Sequence, residues 1–327
     1  MIRRSDLIAD RSLRINKAIG SMLGLAVGDA LGDLGRNDEF RKRYGIITNL
    51  YAGVKSTDDT EFALLTARTL LDCDGNLTVE AVVRSWRRYI LDGGGVYERG
   101  GRPLYGAVKN LQRGILPPLS GRDNVGNDDD GAAMRIAPIG IICAGQPERA
   151  AALAEIDAQI SHYADGIWAA QAVAASIAVA MVNGTVEEII AAGLRHVPQD
   201  SWLGRAMQRA MTICDKAGSI EDAWESLHSD LWTPSHSTSA EAIPQIYAIF
   251  RLTGGDYRRC MFWGGNFGRD ADTIGAVLGA LCGALHGADV IPATWIELVR
   301  RPSGVCLQFA AAEDLVAVAS ALADLIR

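Results

Sequence analysis

Two short acidic clusters are the residues best suited to chemistry: Thr57, Asp58 and Asp59 within "STDDTE", and Asp270, Asp272 and Thr273 within "GRDADT". Each opens a stretch of helical character. Taken singly, either reads as a helix start, because first-turn acids complement the helix dipole and a Ser or Thr caps free N–H groups. Taken together they supply carboxylates and hydroxyls, the oxygen-rich set that a hard divalent cation takes. The set would suit two ions about 3.5–4 Å apart. Without metal, facing carboxylates repel and rise in pKa. Two helix caps unrelated in space fit the same spacing.

The elements that must position these acids read as helices throughout. In "RINKAIGSMLGLAVGDALG", apolar residues form one stripe and Gly20, Gly24 and Gly28 recur at every fourth position. Glycines lower helix propensity, so this spacing points to close approach by a neighbouring helix or a ligand. "STDDTEFALLTARTLLDCDG" starts with capping residues and stops at Gly75. Further helical stretches include "AAMRIAPIGIICAG" and "DADTIGAVLGALCGALHG". About residues 92–131 the chain turns dense in Gly, Pro and Asn, with one short helix expected around Leu104–Gln112. A long loop inside a compact domain is commonly functional. The expectation is one all-α domain over residues 1–327 with this glycine-rich loop on its active face.

Composition narrows the function classes. Net charge is −7 and no long Lys/Arg run occurs, which argues against a nucleic-acid partner. The six cysteines are scattered without a CxxC pair and read as buried free thiols of a reducing compartment. The N-terminus lacks a continuous apolar core of the signal-peptide type. The longest apolar run, Ile167 to Val182, falls short of a membrane span of about 20 residues. A cytoplasmic protein without membrane contact is expected.

In order along the chain, "GSMLGLAVGDALG", "STDDTEFAL", "DGAAMRIAPIG", "SHYADG" and "GRDADTIGAVLGALCGALHG" closed by "IPATW" resemble the ADP-ribosylglycohydrolases nearly end to end. The resemblance implies an all-α fold and a centre of two divalent ions, Mg or Mn. Its metal ligands fall on Thr57, Asp58, Asp59, Asp270, Asp272 and Thr273. It also implies that the "NDDDGAAMR" turn wraps ribose and phosphates, placing Asn127, Asp128, Asp129, Asp130, Gly131 and Met134 at the substrate, with His162 of "SHYADG" nearby. For Arg135, ordinary packing and a substrate role stand level. Asp29 of "VGDALG" is a further candidate for the substrate side, an acid facing the centre whose obvious partner, once buried, is the metal site.

The chain departs from the family pattern at Arg36, where a Glu commonly follows Asp29 by seven residues, and in "SHYADG", where T-H-x-x-P is more usual. Glu39 is close but out of register, and Glu98 and Asp92 of the glycine-rich loop are the candidate replacements for the missing acid. The chemistry implied is metal-assisted hydrolysis at the anomeric carbon of a ribose, with Asp59 or Asp272 orienting the water. The substrate would be an ADP-ribosylated protein or a small ribosylated molecule. Two further readings are a hydrolase of another N-ribosylated metabolite or nucleoside, and a catalytically silent ADP-ribose-binding or immunity-type partner.

Overall fold

The computed structural model describes residues 2–327, and among them 18 α-helical segments carry the fold without a β-strand. One isolated bridge pairs Asp129 with Thr238. The all-α expectation holds. Six helices position the cleft: α1 (Arg11–Arg36), α2 (Asp58–Asp72), α3 (Arg102–Gln112), α4 (Asp165–Ala180), α5 (Ser239–Leu252) and α6 (Ala271–His286).

Helix α1 runs antiparallel to α6 along a seam of small residues. Gly20 faces Gly283, Gly24 faces Gly279, Gly28 faces Gly275, and Gly32 faces Ala271. A Cβ on Gly24 would lie 2.2 Å from the Gly279 carbonyl oxygen, and one on Gly28 only 1.8 Å from that of Gly275. The two backbones therefore touch, which no larger residue allows. Each helical glycine costs about 1 kcal/mol relative to alanine, and the close packing offsets it through dispersion contacts of a dense core. Polar bonds lock the register: Ser21 Oγ donates to the Ala280 carbonyl at 3.1 Å. Lys17 Nζ donates to the Ala284 and Leu285 carbonyls at 2.8 and 2.9 Å, a cation on the negative end of α6.

Helix α4 holds the long alanine-rich apolar run and is buried nearly all round, as a core helix. Among the described residues, no helix is long and apolar enough to cross a membrane. All six cysteines are free; Cys73 is half-buried and the other five are buried.

Two local expectations are revised. In the glycine-rich stretch the helix expected around Leu104–Gln112 is present as α3, with Pro103 in its first turn, and a further short helix, not expected, follows at Leu119–Arg122. Conversely, "AAMRIAPIGIICAG" is helical only over Ala137–Ile142. Pro138 lacks an N–H and disfavours a helical residue before it, so it fits only the first turn. The preceding residues fold instead into a turn, with the Met134 N–H donating to the Asp130 carbonyl at 2.9 Å.

Replacing Gly28 by alanine should therefore cost about 3 kcal/mol of stability by overpacking, read as a lower urea midpoint. Gly218→Ala, whose new Cβ would meet only the flexible Asp222 side chain at 3.3 Å, should stay within about 0.5 kcal/mol.

Candidate active site

Helices α2 and α6 both present their N-termini to one cleft of about 1000 Å³. The reason lies one layer below. Asp29, on α1, is fully buried behind the floor. Its Oδ2 accepts from the Thr57 N–H at 2.7 Å, the Thr60 N–H at 3.2 Å and Thr60 Oγ1 at 2.6 Å, and its Oδ1 accepts from Thr57 Oγ1 at 2.7 Å. A carboxylate from one helix thus caps the start of another, whose own N-cap Thr57 makes no side-chain capping bond. Burial pushes Asp29 up to about 7, against the pull of the Thr60 and Thr57 hydrogen bonds. Asp29, expected at the substrate, lies behind the floor, and its four donors are hydroxyls and amides of Thr57 and Thr60 at the start of α2.

Asp58, Asp59 and Asp272 come together on the floor, each offering a carboxylate oxygen within 4.8 Å of the others, and all three are buried. Asp59 is 1% exposed, and its Oδ1 has no hydrogen-bond partner. Burial, followed by repulsion from neighbouring carboxylates, raises Asp58 and Asp59 well above the usual carboxylate range. Asp270 is the N-cap of α6 yet makes no capping bond; its carboxylate turns into the cleft. Burial and then Asp272 push it up to about 7. The reading as two unrelated caps therefore fails on geometry. Thr273 lines the cleft, while Thr57 lies just behind it with its hydroxyl proton given to Asp29.

Two guanidiniums face these acids. Arg36, on the last turn of α1, sets Nη1 2.7 Å from Asp270 Oδ1 and also against Asp272 Oδ1. Its Nη2 lies 2.9 Å from His236 Nε2, which must accept because a guanidinium only donates. Burial first, then Arg36, hold His236 below the usual imidazole value. Burial opposes the charge on Arg36, but Asp272 and Asp270 outweigh it and raise its pKa. Arg99 pairs with Asp33 Oδ1 at 2.7 Å and Asp272 Oδ2 at 3.1 Å. It is held at φ 73°, a left-handed conformation rare outside glycine. A relay of bonds fixes it there. Glu61 accepts the N–H groups of Val305, Cys306 and Leu307 at 3.0, 2.9 and 2.6 Å. The same strip then accepts the N–H groups of Tyr97 and Glu98 through the Cys306 and Val305 carbonyls. Asp92, Glu98 and Glu39 are exposed and do not line the cleft.

The opposite wall is the turn expected to wrap a ligand: Asp128, Asp129, Asp130, Gly131 and Met134 line the cleft. Asn127 does not, since its Nδ2 donates to the Gly121 and Arg122 carbonyls at 3.0 and 2.9 Å and so ties the turn down. His162, expected near the ligand, is fully buried beneath it. Its Nε2 lies 2.6 Å from Asp129 Oδ1 and its Nδ1 2.7 Å from Ser161 Oγ, so it reaches the cleft only by holding Asp129. Burial lowers its pKa, with Asp129 pulling the other way. Arg135 resolves as structural: fully buried, it bonds Asp157 at 2.9 Å, the Gly131 carbonyl at 2.9 Å and Ser161 Oγ at 3.1 Å, over the Trp86 ring. The third side, Pro234 to Thr238, is braced by Arg269, which donates to Glu241 at 2.8 Å and to the Thr233 carbonyl at 2.6 Å.

Comparison with known proteins matches this architecture. A profile of the ADP-ribosylglycohydrolase domain matches residues 10–327. The chain belongs to the ADP-ribosylglycohydrolase family. Its relatives include an uncharacterised protein of Archaeoglobus fulgidus, 31% identical over 84% of this chain and 89% of that one. Another is the ADP-ribosyl-[dinitrogen reductase] glycohydrolase of Rhodospirillum rubrum, 26% identical over 86% of this chain and 90% of that one. Among solved structures, an ADP-ribosylglycohydrolase-related protein complex superposes with a TM-score of 0.65 at 22% identity, covering 96% of this chain and 99% of that one. Like the family, the chain is a hydrolase of the ADP-ribosylglycohydrolase type.

Asp33, Arg99 and His236 were not singled out from the sequence. Asp33 was findable, since with Asp29 and Arg36 it follows the i, i+4, i+7 spacing of one helix face. Arg99 and His236 arrive from distant segments that no local pattern connects.

The Arg135–Asp157 pair supports the ligand-facing turn, and leaving one buried partner alone is costly. Asp157→Ala should destabilise by about 3–5 kcal/mol in urea unfolding. Asp230→Ala, breaking the more exposed pair with Arg209, should cost less than about 1 kcal/mol.

Proposed function

We propose that the protein is a divalent-metal-dependent hydrolase that releases ADP-ribose from a modified protein or small molecule by cleaving the bond at the ribose anomeric carbon. The observation that carries the reading is the buried triad Asp58, Asp59 and Asp272 at the floor of a polar cleft large enough for such a ligand. The unpartnered Asp59 oxygen is the deciding detail, because a buried ionised oxygen without a partner is costly. A hard cation with oxygen preference, Mg or Mn, is chemically matched to it. Asp58, Asp59 and Asp272 would hold the ion, with Asp270 and the hydroxyls of Thr57 and Thr273 next to them. An ion bound there supplies Lewis acidity, making water available as a nucleophile near neutral pH.

The chain's own groups divide the remaining work. Asp59, with one oxygen free of any protein partner, is placed to hold the ion and to orient the attacking water. Both oxygens of Asp272 already face guanidiniums, which suits it to orienting rather than to proton transfer. On the opposite wall, Asp128 and Asp129 accept from ribose hydroxyls, with Asp129 held in place by His162 and the Gly131 N–H. Arg99 and Arg102 line the cleft and supply local positive charge for the phosphates of an otherwise acidic protein. The bond from the anomeric carbon to the leaving group breaks as the water oxygen bonds to that carbon, through an oxocarbenium-like state. The leaving group departs with the bonding pair and takes up the proton that the water gives up.

A substrate panel tests this. In Mn or Mg the protein should hydrolyse ADP-ribosyl-arginine or ADP-ribosyl-serine, lose that activity in EDTA, and fall about 100-fold or more in kcat/KM on Asp59→Ala. Cleavage confined to simple ribonucleosides would move the assignment to a ribosylated metabolite. Binding of ADP-ribose with no turnover of any substrate would make the chain a silent binder.

A further inference from the structure

The ligand set reads from sequence as a centre for two ions, yet the structure already holds a cation in half of it. We infer that the Arg36 guanidinium is a built-in substitute for a second metal, so that the centre takes one divalent ion, on Asp58, Asp59 and Asp272. The inference rests on the metal-dependent reading above and concerns how many ions the acids can hold.

The floor is asymmetric. On the α2 side, Asp58 and Asp59 receive no hydrogen bond from a guanidinium, and Asp59 Oδ1 is buried with no partner at all. On that side no side chain of the protein supplies the positive partner that the acids call for. On the α6 side, Asp270 Oδ1 and Asp272 Oδ1 are both bonded by the same Arg36 nitrogen. Asp272 Oδ2 instead meets Arg99 at 3.1 Å, so Asp272 can share an ion with Asp58 and Asp59 through Oδ2 without displacing Arg36. An ion bridging Asp270 and Asp272 would stand in the place of that Arg36 nitrogen, or directly against it, in a site where burial weakens screening.

Arg36 is also anchored against leaving. Its backbone lies on the last turn of α1, between Gly32 and Gly35 on one side and Asn37 on the other. A Cβ on Gly32 would sit 1.9 Å from the Ala271 carbonyl oxygen, and one on Gly35 1.7 Å from that of Gly265. The seam therefore holds Arg36 beside the start of α6. Its outer nitrogen is taken by the neutral His236 ring at 2.9 Å, a partner that fits a guanidinium and would not be needed by a side chain meant to swing out. An always-charged fork with several donors is the residue type that can stand in for a metal between two carboxylates.

Counting bound Mn in the full-length chain decides the matter. After equilibrium dialysis against Mn²⁺ with metal analysis, the wild type should bind one ion, with the uncoupled six-line EPR signal of an isolated Mn²⁺. Arg36→Ala should bind two, with the broadened signal of an exchange-coupled pair, and Arg36→Lys, which keeps the charge, should stay at one. Circular dichroism checks that each variant is folded. Two coupled ions in the wild type would overturn the inference and leave metal dependence standing. No bound ion in any variant would overturn both. A folded Arg36→Ala that does not gain an ion, or an Arg36→Lys that does, would show that the cation at position 36 is not what excludes the second metal.

Discussion

Backbone contact between α1 and α6 is the constraint from which the cleft follows. Because glycine faces glycine along the seam, each glycine Cα approaches the facing backbone carbonyl too closely for a Cβ to fit, and a residue on one helix is fixed relative to the other with little freedom. That contact puts Asp29, Asp33 and Arg36 of α1 beside Asp270 and Asp272 at the start of α6. Acids of that density repel one another. Here the packing of the core holds them in place despite their repulsion, and the raised proton affinities of Asp58, Asp59 and Asp270 are its electrostatic signature.

Around this floor, each wall is tied down by a buried charged or polar group that never meets solvent. Asp29 fixes the start of α2, Glu61 fixes the strip that carries Arg99, His162 fixes Asp129, and Arg135 fixes the ligand-facing turn. Such groups are costly to bury unless satisfied, and each has at least one partner distant in sequence: Thr57 for Asp29, Cys306 for Glu61, Asp129 for His162 and Asp157 for Arg135. The result is preorganisation: groups facing the ligand need little reordering when it binds, which is where positioned polar groups gain their catalytic value. Arg99 and Arg269, the latter next to Asp270, carry left-handed backbone strain at the floor.

Much of this was legible in the residues. Glycines at every fourth position announced a close helix contact, and "STDDT" with "GRDADT" announced an oxygen-rich centre, because local spacing encodes both. What local spacing cannot encode is partnership across the fold. Asp29 reads as an acid facing the centre, but its partners are the hydroxyls of Thr57 and Thr60. His162 and Asn127 sit within a ligand-facing motif, yet their side chains turn inward to hold it. Arg36 reads as a departure from the family pattern; only its contacts with Asp270, Asp272 and His236 reveal a cation placed among acids. Pro138 was visible, and its effect in shortening the expected helix was the local signal left unread.

The central claim is that the triad Asp58, Asp59 and Asp272 holds the working metal. Crystals grown with Mn²⁺ and measured at a wavelength where manganese scatters anomalously test it most directly. The account predicts one anomalous peak, roughly 2.0–2.3 Å from a carboxylate oxygen of each of the three, with Arg36 still bonded to Asp270. Absence of a peak there, or an ion held by other residues, would contradict it.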